Sequence, residues 1–192
     1  KIDNDPFLAE AYSIGSNKLR DFQYGKLKTS DVFSIKHTAK FFAITDLINS
    51  WHSTRWHNQR FYYDPYSKLL IPIGFDSMSG GFNESENLKM LSIERFNDRK
   101  WQELPFFEDK VFVEAYLKEL DKIVNTSFLD NFLKKSSLVI NNDLKKIYRS
   151  YPHQIRFKDI KNKLILNKEI IYNNLYPNYD LIDVYLDKKN NF

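Results

Sequence analysis

In the interior of this chain the hydrophobic period changes once. Apolar side chains recur at helical spacing before Trp51 and after Val113. Between them, Arg60 to Tyr63 and Lys68 to Ile73 run as short aromatic and aliphatic strings around Asp64-Pro65-Tyr66-Ser67. Such strings flanking turn chemistry predict a β-hairpin. A lone two-stranded hairpin is marginal in water because it cannot bury its own face. Helices must therefore cover it, and the expected class is mainly α with a central β-hairpin (α+β).

The helices can be placed by their stripes and caps. Asp5-Pro6 is a cap followed by proline at the first helical position, and Leu8, Ala11, Tyr12, Gly15, Leu19 and Phe22 follow at helical spacing up to a stop at Gly25. Ser34 can cap a second helix, with Ala39, Phe42, Ala43 and Leu47 on one face and Ile44, Ile48 and Trp51 on a neighbouring one. Apolar over so much of its girth, that helix is expected at the centre. Val113, Tyr116, Leu117, Leu120, Ile123 and Val124 mark another helix. Phe128, Leu129 and Phe132 predict a short one after Thr126, and Asn142 or Asp143 starts the next, ending near Pro152. A long helix through Ile160, Leu164, Ile171 and Leu175 stops at Pro177. The helical domain is expected over residues 1–178, with 179–192 as a following β segment or tail. Ser77-Met78-Ser79-Gly80-Gly81 reads as a loop.

Composition excludes some functions. At 42% hydrophobic and 16% aromatic residues the chain can build a core, so global disorder is not expected. Cysteine is absent, which removes disulfides and thiolate zinc sites. The longest apolar runs are far too short to span a membrane. Twenty-nine Lys and Arg against twenty-five Asp and Glu leave +4, scattered along the sequence, so no nucleic-acid partner is expected. The first residue is Lys1 and no signal peptide opens the chain, so a piece of a longer protein is expected.

Chemistry concentrates between Trp51 and Asp76. Folding the hairpin returns Asp76 to the neighbourhood of Asn58, which stands 18 positions earlier. An amide oxygen beside a carboxylate suits Mg²⁺, which takes few hard oxygen ligands and completes its shell with water and phosphate. Kinase-like enzymes are arranged this way: a loop supplies a base and a metal-holding Asn, then a hairpin end supplies a metal-holding Asp. His52 is the candidate base, and Arg55 and Arg60 are candidates for phosphate. Each has a plainer reading. Asn58 and Asp76 suit loop and turn hydrogen bonds, His52 suits packing beside tryptophan, and the arginines suit ion pairs with Asp64 or Asp76. Trp51 and Trp56 suit either a core or a stacking platform.

The stretch "AKFFAITDLINSWHSTRWHNQRFYYDPYSKLLIPIGFD" resembles the core of the CotH (spore coat protein H) family of atypical, secreted kinases. There a helix leads to an Asp, an Asn about five residues on, an aromatic strand, a hairpin turn and a strand end carrying Asp. "FFEDKVFVEAYLKEL" is similar to the helix that follows. The resemblance covers roughly residues 30 to 125. It implies the C-terminal lobe of a protein-kinase-like fold and metal-dependent phosphoryl transfer from ATP, with Mg²⁺ or Mn²⁺, to a protein substrate. It further implies an exported bacterial protein, extracellular or at the cell surface. Two departures stand out. Ser53 lies five positions before Asn58 where the family has Asp, and Gly74 stands where the family pattern often has a first Asp before the one matched by Asp76. The family's nucleotide-binding lobe precedes this region and is at most a remnant here. The alternative is an inactive kinase-like scaffold serving as a surface interaction or carbohydrate-associated module.

Overall fold

The computed structural model describes residues 5–76, 105–150 and 157–178. Helices, 3₁₀ turns included, take 74% of these residues, and the remaining regular structure is one antiparallel hairpin. The helices are α1 (Pro6–Gln23), α2 (Thr29–Val32), α3 (Ile35–Leu47), α4 (Lys110–Asn125), α5 (Phe128–Ser150) and α6 (Phe157–Leu175). The strands are β1 (Arg60–Asp64) and β2 (Leu69–Ile73). Short 3₁₀ turns occupy Trp51–Thr54, Trp56–Asn58 and Pro105–Glu108. The expected Ser77–Gly81 loop and the tail from residue 179 lie outside the described residues.

Helix α1 begins as its sequence predicts. The Asp5 carboxylate accepts from the amides of Phe7 and Leu8, and Pro6 sits at the first helical position. Its apolar stripe is less buried than its spacing suggests. Gly15 and Phe22 are buried, but Leu8 and Tyr12 are 48% and 63% exposed. The reason is where the hairpin lies: β1 and β2 cover α1 only near Gly15, which sits against Tyr63 and Leu70.

Helix α3 is the hub, as its girth of apolar residues predicts. It packs on α4, α6 and β2, and Ala39, Phe42, Ala43 and Leu47 are buried. Ser34 occupies its cap position, but the hydroxyl turns to His37 Nδ1 at 2.7 Å instead of capping. Ile48, expected on a covered face, is exposed because the helix has already ended. Around Phe106 an aromatic core assembles, with ring centroids of Phe33, Phe22 and Phe42 at 4.9, 5.0 and 5.0 Å.

The hairpin pairs Arg60 with Ile73 through Asp64 with Leu69. Phe61, Tyr63, Leu70 and Pro72 therefore share the face turned to the helices, with Leu70 2% exposed. At the tip, the Asp64 carboxylate accepts from the Ser67 hydroxyl at 2.6 Å and from the amides of Tyr66 and Ser67. Those bonds, the Ser67 hydroxyl foremost, hold its carboxyl below the usual aspartate range.

Two helices expected between Phe128 and Pro152 are one. Helix α5 runs unbroken because nothing between Phe132 and Asn142 breaks a helix; Asn142 and Asp143 can cap but do not force a boundary. Helix α2, four residues long, has no hydrophobic period to announce it.

Asp109 joins two of these elements. Its carboxylate accepts from Val111 N at the start of α4 and from Ser30 N, at 2.7 Å, in α2. Burial pushes its pKa up, but hydrogen bonds from Ser30, Val111 and Phe112 outweigh this and hold it below the ordinary value. A depressed folded pKa means the ionised form stabilises the fold above the unfolded value of about 3.9, and the contribution fades as pH falls through the folded pKa. Acid unfolding followed by circular dichroism should therefore steepen below about pH 4, and Asp109→Asn should flatten that limb relative to wild type.

Candidate functional site

The site grows from the way α3 ends. Asn49 takes a left-handed conformation (φ 53°), Asn49 N donates to Asp46 O, and Ser50 N donates to Thr45 O at 2.7 Å. This is a Schellman closure with Asn in the position glycine usually fills. From α6, buried Asn167 donates Nδ2 to Leu47 O at 2.7 Å, and the Tyr116 hydroxyl of α4 donates to the buried Asp46 carboxylate. The end of α3 is thus tied to both helices behind it.

The chain then winds through the two 3₁₀ turns with its polar side chains inward. Ser50, Ser53, Thr54, Asn58 and Gln59 are all buried. Ser53 Oγ donates to Ser50 O at 2.7 Å, and the Gln59 side-chain amide donates to Thr54 O. Arg55 O accepts from Asn58 N and Gln59 N at 2.8 and 3.0 Å. These bonds tie the loop to itself and make it a firm mount, although the buried Gln59 Oε1 has no partner among the described residues.

His52, Asn58 and Asp76 meet on that mount. His52 Nδ1 lies 3.1 Å from Asp76 Oδ2 across 24 positions of sequence. Asn58 Nδ2 lies 3.1 Å from the same nitrogen and donates to His52 O at 3.0 Å. One ring nitrogen cannot accept from the amide and donate to the carboxylate together. The carbonyl already takes an Asn58 hydrogen, and two bare acceptors would repel at 3.1 Å. The consistent assignment puts the Nδ1 proton toward Asp76 and the ring's lone pair on Nε2. Both side chains remain partly open to solvent, at 30% and 39%.

The pairing of His52 with Asp76 is not visible in the sequence spacing, which assigns them separate roles. Its only signal is the hairpin, whose register brings the residues after Ile73 back beside those before Arg60. Asp76 adopts a left-handed conformation (φ 47°), which Asp tolerates better than most residues and which turns the chain at that point.

Other candidates stand differently. Arg60 Nη1 donates to His57 O and Gln59 O, both at 2.9 Å, and its guanidinium lies 4.5 Å from the Phe75 ring centroid. It braces the hairpin's open end, a role that its position beside the strand conceals. Arg55 and Trp56 are half-buried. The rings of His52 and His57 are 6.4 Å apart, but among the described residues no three His, Cys, Asp or Glu gather as a metal cluster.

Donor type decides whether a cation fits. Asp76 spends Oδ2 on His52 and Asn58 spends Nδ2, so the second carboxylate oxygen and the amide oxygen are the atoms turned elsewhere. Two such hard oxygens, if a cation were held between them and completed by water and phosphate, would suit Mg²⁺ or Mn²⁺ better than softer metals. Among the described residues no helix is long and apolar enough to cross a membrane. Comparison of the chain with protein-family models, curated proteins and solved structures gives no match.

Proposed function

We propose that this chain is the larger lobe of a CotH-like atypical kinase and transfers a phosphoryl group from ATP to a hydroxyl of a protein substrate. The observation that carries the reading is the convergence of Asn58 and Asp76 on one nitrogen of His52. Asp76 and Asn58 would hold Mg²⁺ or Mn²⁺, which when bound supplies charge neutralisation for the nucleotide phosphates. His52, its ring oriented by Asp76, takes the substrate hydroxyl proton at Nε2 while the oxygen bonds to the terminal phosphorus and ADP leaves. The buried loop beneath them keeps these groups fixed, and positioning is most of what phosphoryl transfer asks of a protein.

A catalytically inactive scaffold is the second reading, and two observations favour it. Ser53, in the place of the family's Asp, has its hydroxyl committed to Ser50 O, and Arg60 is committed to backbone carbonyls rather than phosphate.

Melting temperature with Mg²⁺ and ATP separates the two. At a ligand concentration one hundred times its dissociation constant, binding should add about 2.7 kcal/mol to stability. Asp76→Asn is the informative variant, because Asn accepts a left-handed backbone while losing the charge. Wild type should shift and Asp76→Asn should not; equal inertness of both would leave the scaffold reading.

A further inference from the structure

We propose that the outer face of α5 docks the protein onto an anionic lipid surface. This goes beyond the kinase reading and does not depend on it. Helix α5 (Phe128–Ser150) is peripheral, packing mainly on α4 and α6. Only Leu129 and Leu133 are buried, while Ser136, Ser137, Ile140, Leu144 and Tyr148 are half-buried along the same side. At about 100° per residue, every cation of the helix falls on the opposite side. Lys134, Lys145, Arg149, Lys135 and Lys146 span an arc of about 120°, and all are exposed.

The helix's two acids, Asp130 and Asp143, lie outside that arc, so its charges are segregated by sign. Five cations against two acids give the helix a net +3, most of the +4 carried by the whole chain. Lys146 pairs with Asp143 at 2.8 Å, whereas Lys134, Lys135, Lys145 and Arg149 form no ion pair with another described residue.

The face is not purely electrostatic. Leu138 falls within the cationic arc and is 70% exposed, and Val139, at its edge, is 62% exposed. Leu138 has Lys134 and Lys135 one turn before it and Lys145 two turns after it on the same face, and an apolar side chain between long cationic ones suits a lipid interface, with lysine stems snorkelling outward to headgroups. The helix is about 34 Å long and presents a convex face. A plane of anionic headgroups fits such a surface; a peptide would need a groove. Charge complementarity therefore selects an anionic bilayer, and the exposed Leu138 favours lipid over a soluble polyanion.

Cosedimentation of the full chain with vesicles tests this. Vesicles of phosphatidylcholine with about a third phosphatidylglycerol should bind it, and phosphatidylcholine alone should not. Replacing Lys134, Lys135, Lys145 and Arg149 together by Gln should cut the partition constant at least about a hundredfold. Leu138→Asn, which leaves the charge unchanged, should cut it several-fold. All these positions are exposed, so circular dichroism should show the variants folded. Absence of binding to anionic vesicles, or binding indifferent to the four substitutions, overturns the proposal. So does binding to soluble polyglutamate as strong as to vesicles and unaffected by Leu138→Asn, which would identify an acidic protein partner instead.

Discussion

Phe106→Ala should lower the melting temperature by about 6–20 °C. The ring is fully buried and touches Phe22, Phe33, Phe42 and Phe112, which come from α1, the α2–α3 link, α3 and α4. Truncating a phenylalanine in such a place costs about 3–5 kcal/mol, the transfer term plus the cavity left behind. In a domain of this size each kcal/mol is worth about 2–4 °C. Phe106 also offers its carbonyl to the buried Thr29 hydroxyl at 2.9 Å, so its 3₁₀ turn is pinned by backbone as well as by side chain. Tyr66→Ala is the control. That residue stands at the hairpin tip, 95% exposed, and its loss should leave the melting temperature nearly unchanged.

In the proposed kinase reaction, His52→Gln should reduce the phosphoryl-transfer rate by about 10²–10⁴, the usual contribution of a positioned base. Gln retains a polar side chain of similar reach but cannot take up a proton near neutral pH. The metal–nucleotide melting shift should survive in this variant, because the cation's proposed ligands are Asn58 and Asp76. A retained shift with a lost rate assigns His52 to chemistry. Loss of both would make its ring a structural part of the binding site, and loss of neither would remove it from the mechanism.

The legibility of this fold follows the reach of the interactions that make it. The start of α1 depends on Asp5 and Pro6, the hairpin on Asp64 to Ser67, and the end of α6 on Pro177; each acts within a few residues and can be read locally. The continuity of α5 could not be read this way, because residues that are able to cap also sit inside helices when nothing else interrupts. Helix α1 shows a second limit: Leu8 and Tyr12 keep perfect spacing, yet which part of a stripe is buried depends on where the hairpin lands.

In the site, the meeting of Asn58 with Asp76 could be inferred from hairpin closure. Their common partner, His52 Nδ1, depends on the turn made by Asn49 and the wound loop after it, which no periodicity encodes. Arg60 misleads for a related reason: a guanidinium suits phosphate and backbone carbonyls equally, and only the loop's path shows that carbonyls reach it first. The cations of α5 look scattered along the sequence and align only when the chain is wound at 3.6 residues per turn.

Paramagnetic Mn²⁺ gives the sharpest view of the proposed cation cradle. In a titration followed by nuclear magnetic resonance, with nucleotide present, the Asn58 side-chain amide and the His52 ring signals should broaden before any others. Asp76→Asn should abolish the effect. Broadening that starts elsewhere, or that is unchanged in Asp76→Asn, would contradict a metal held at the open end of the hairpin.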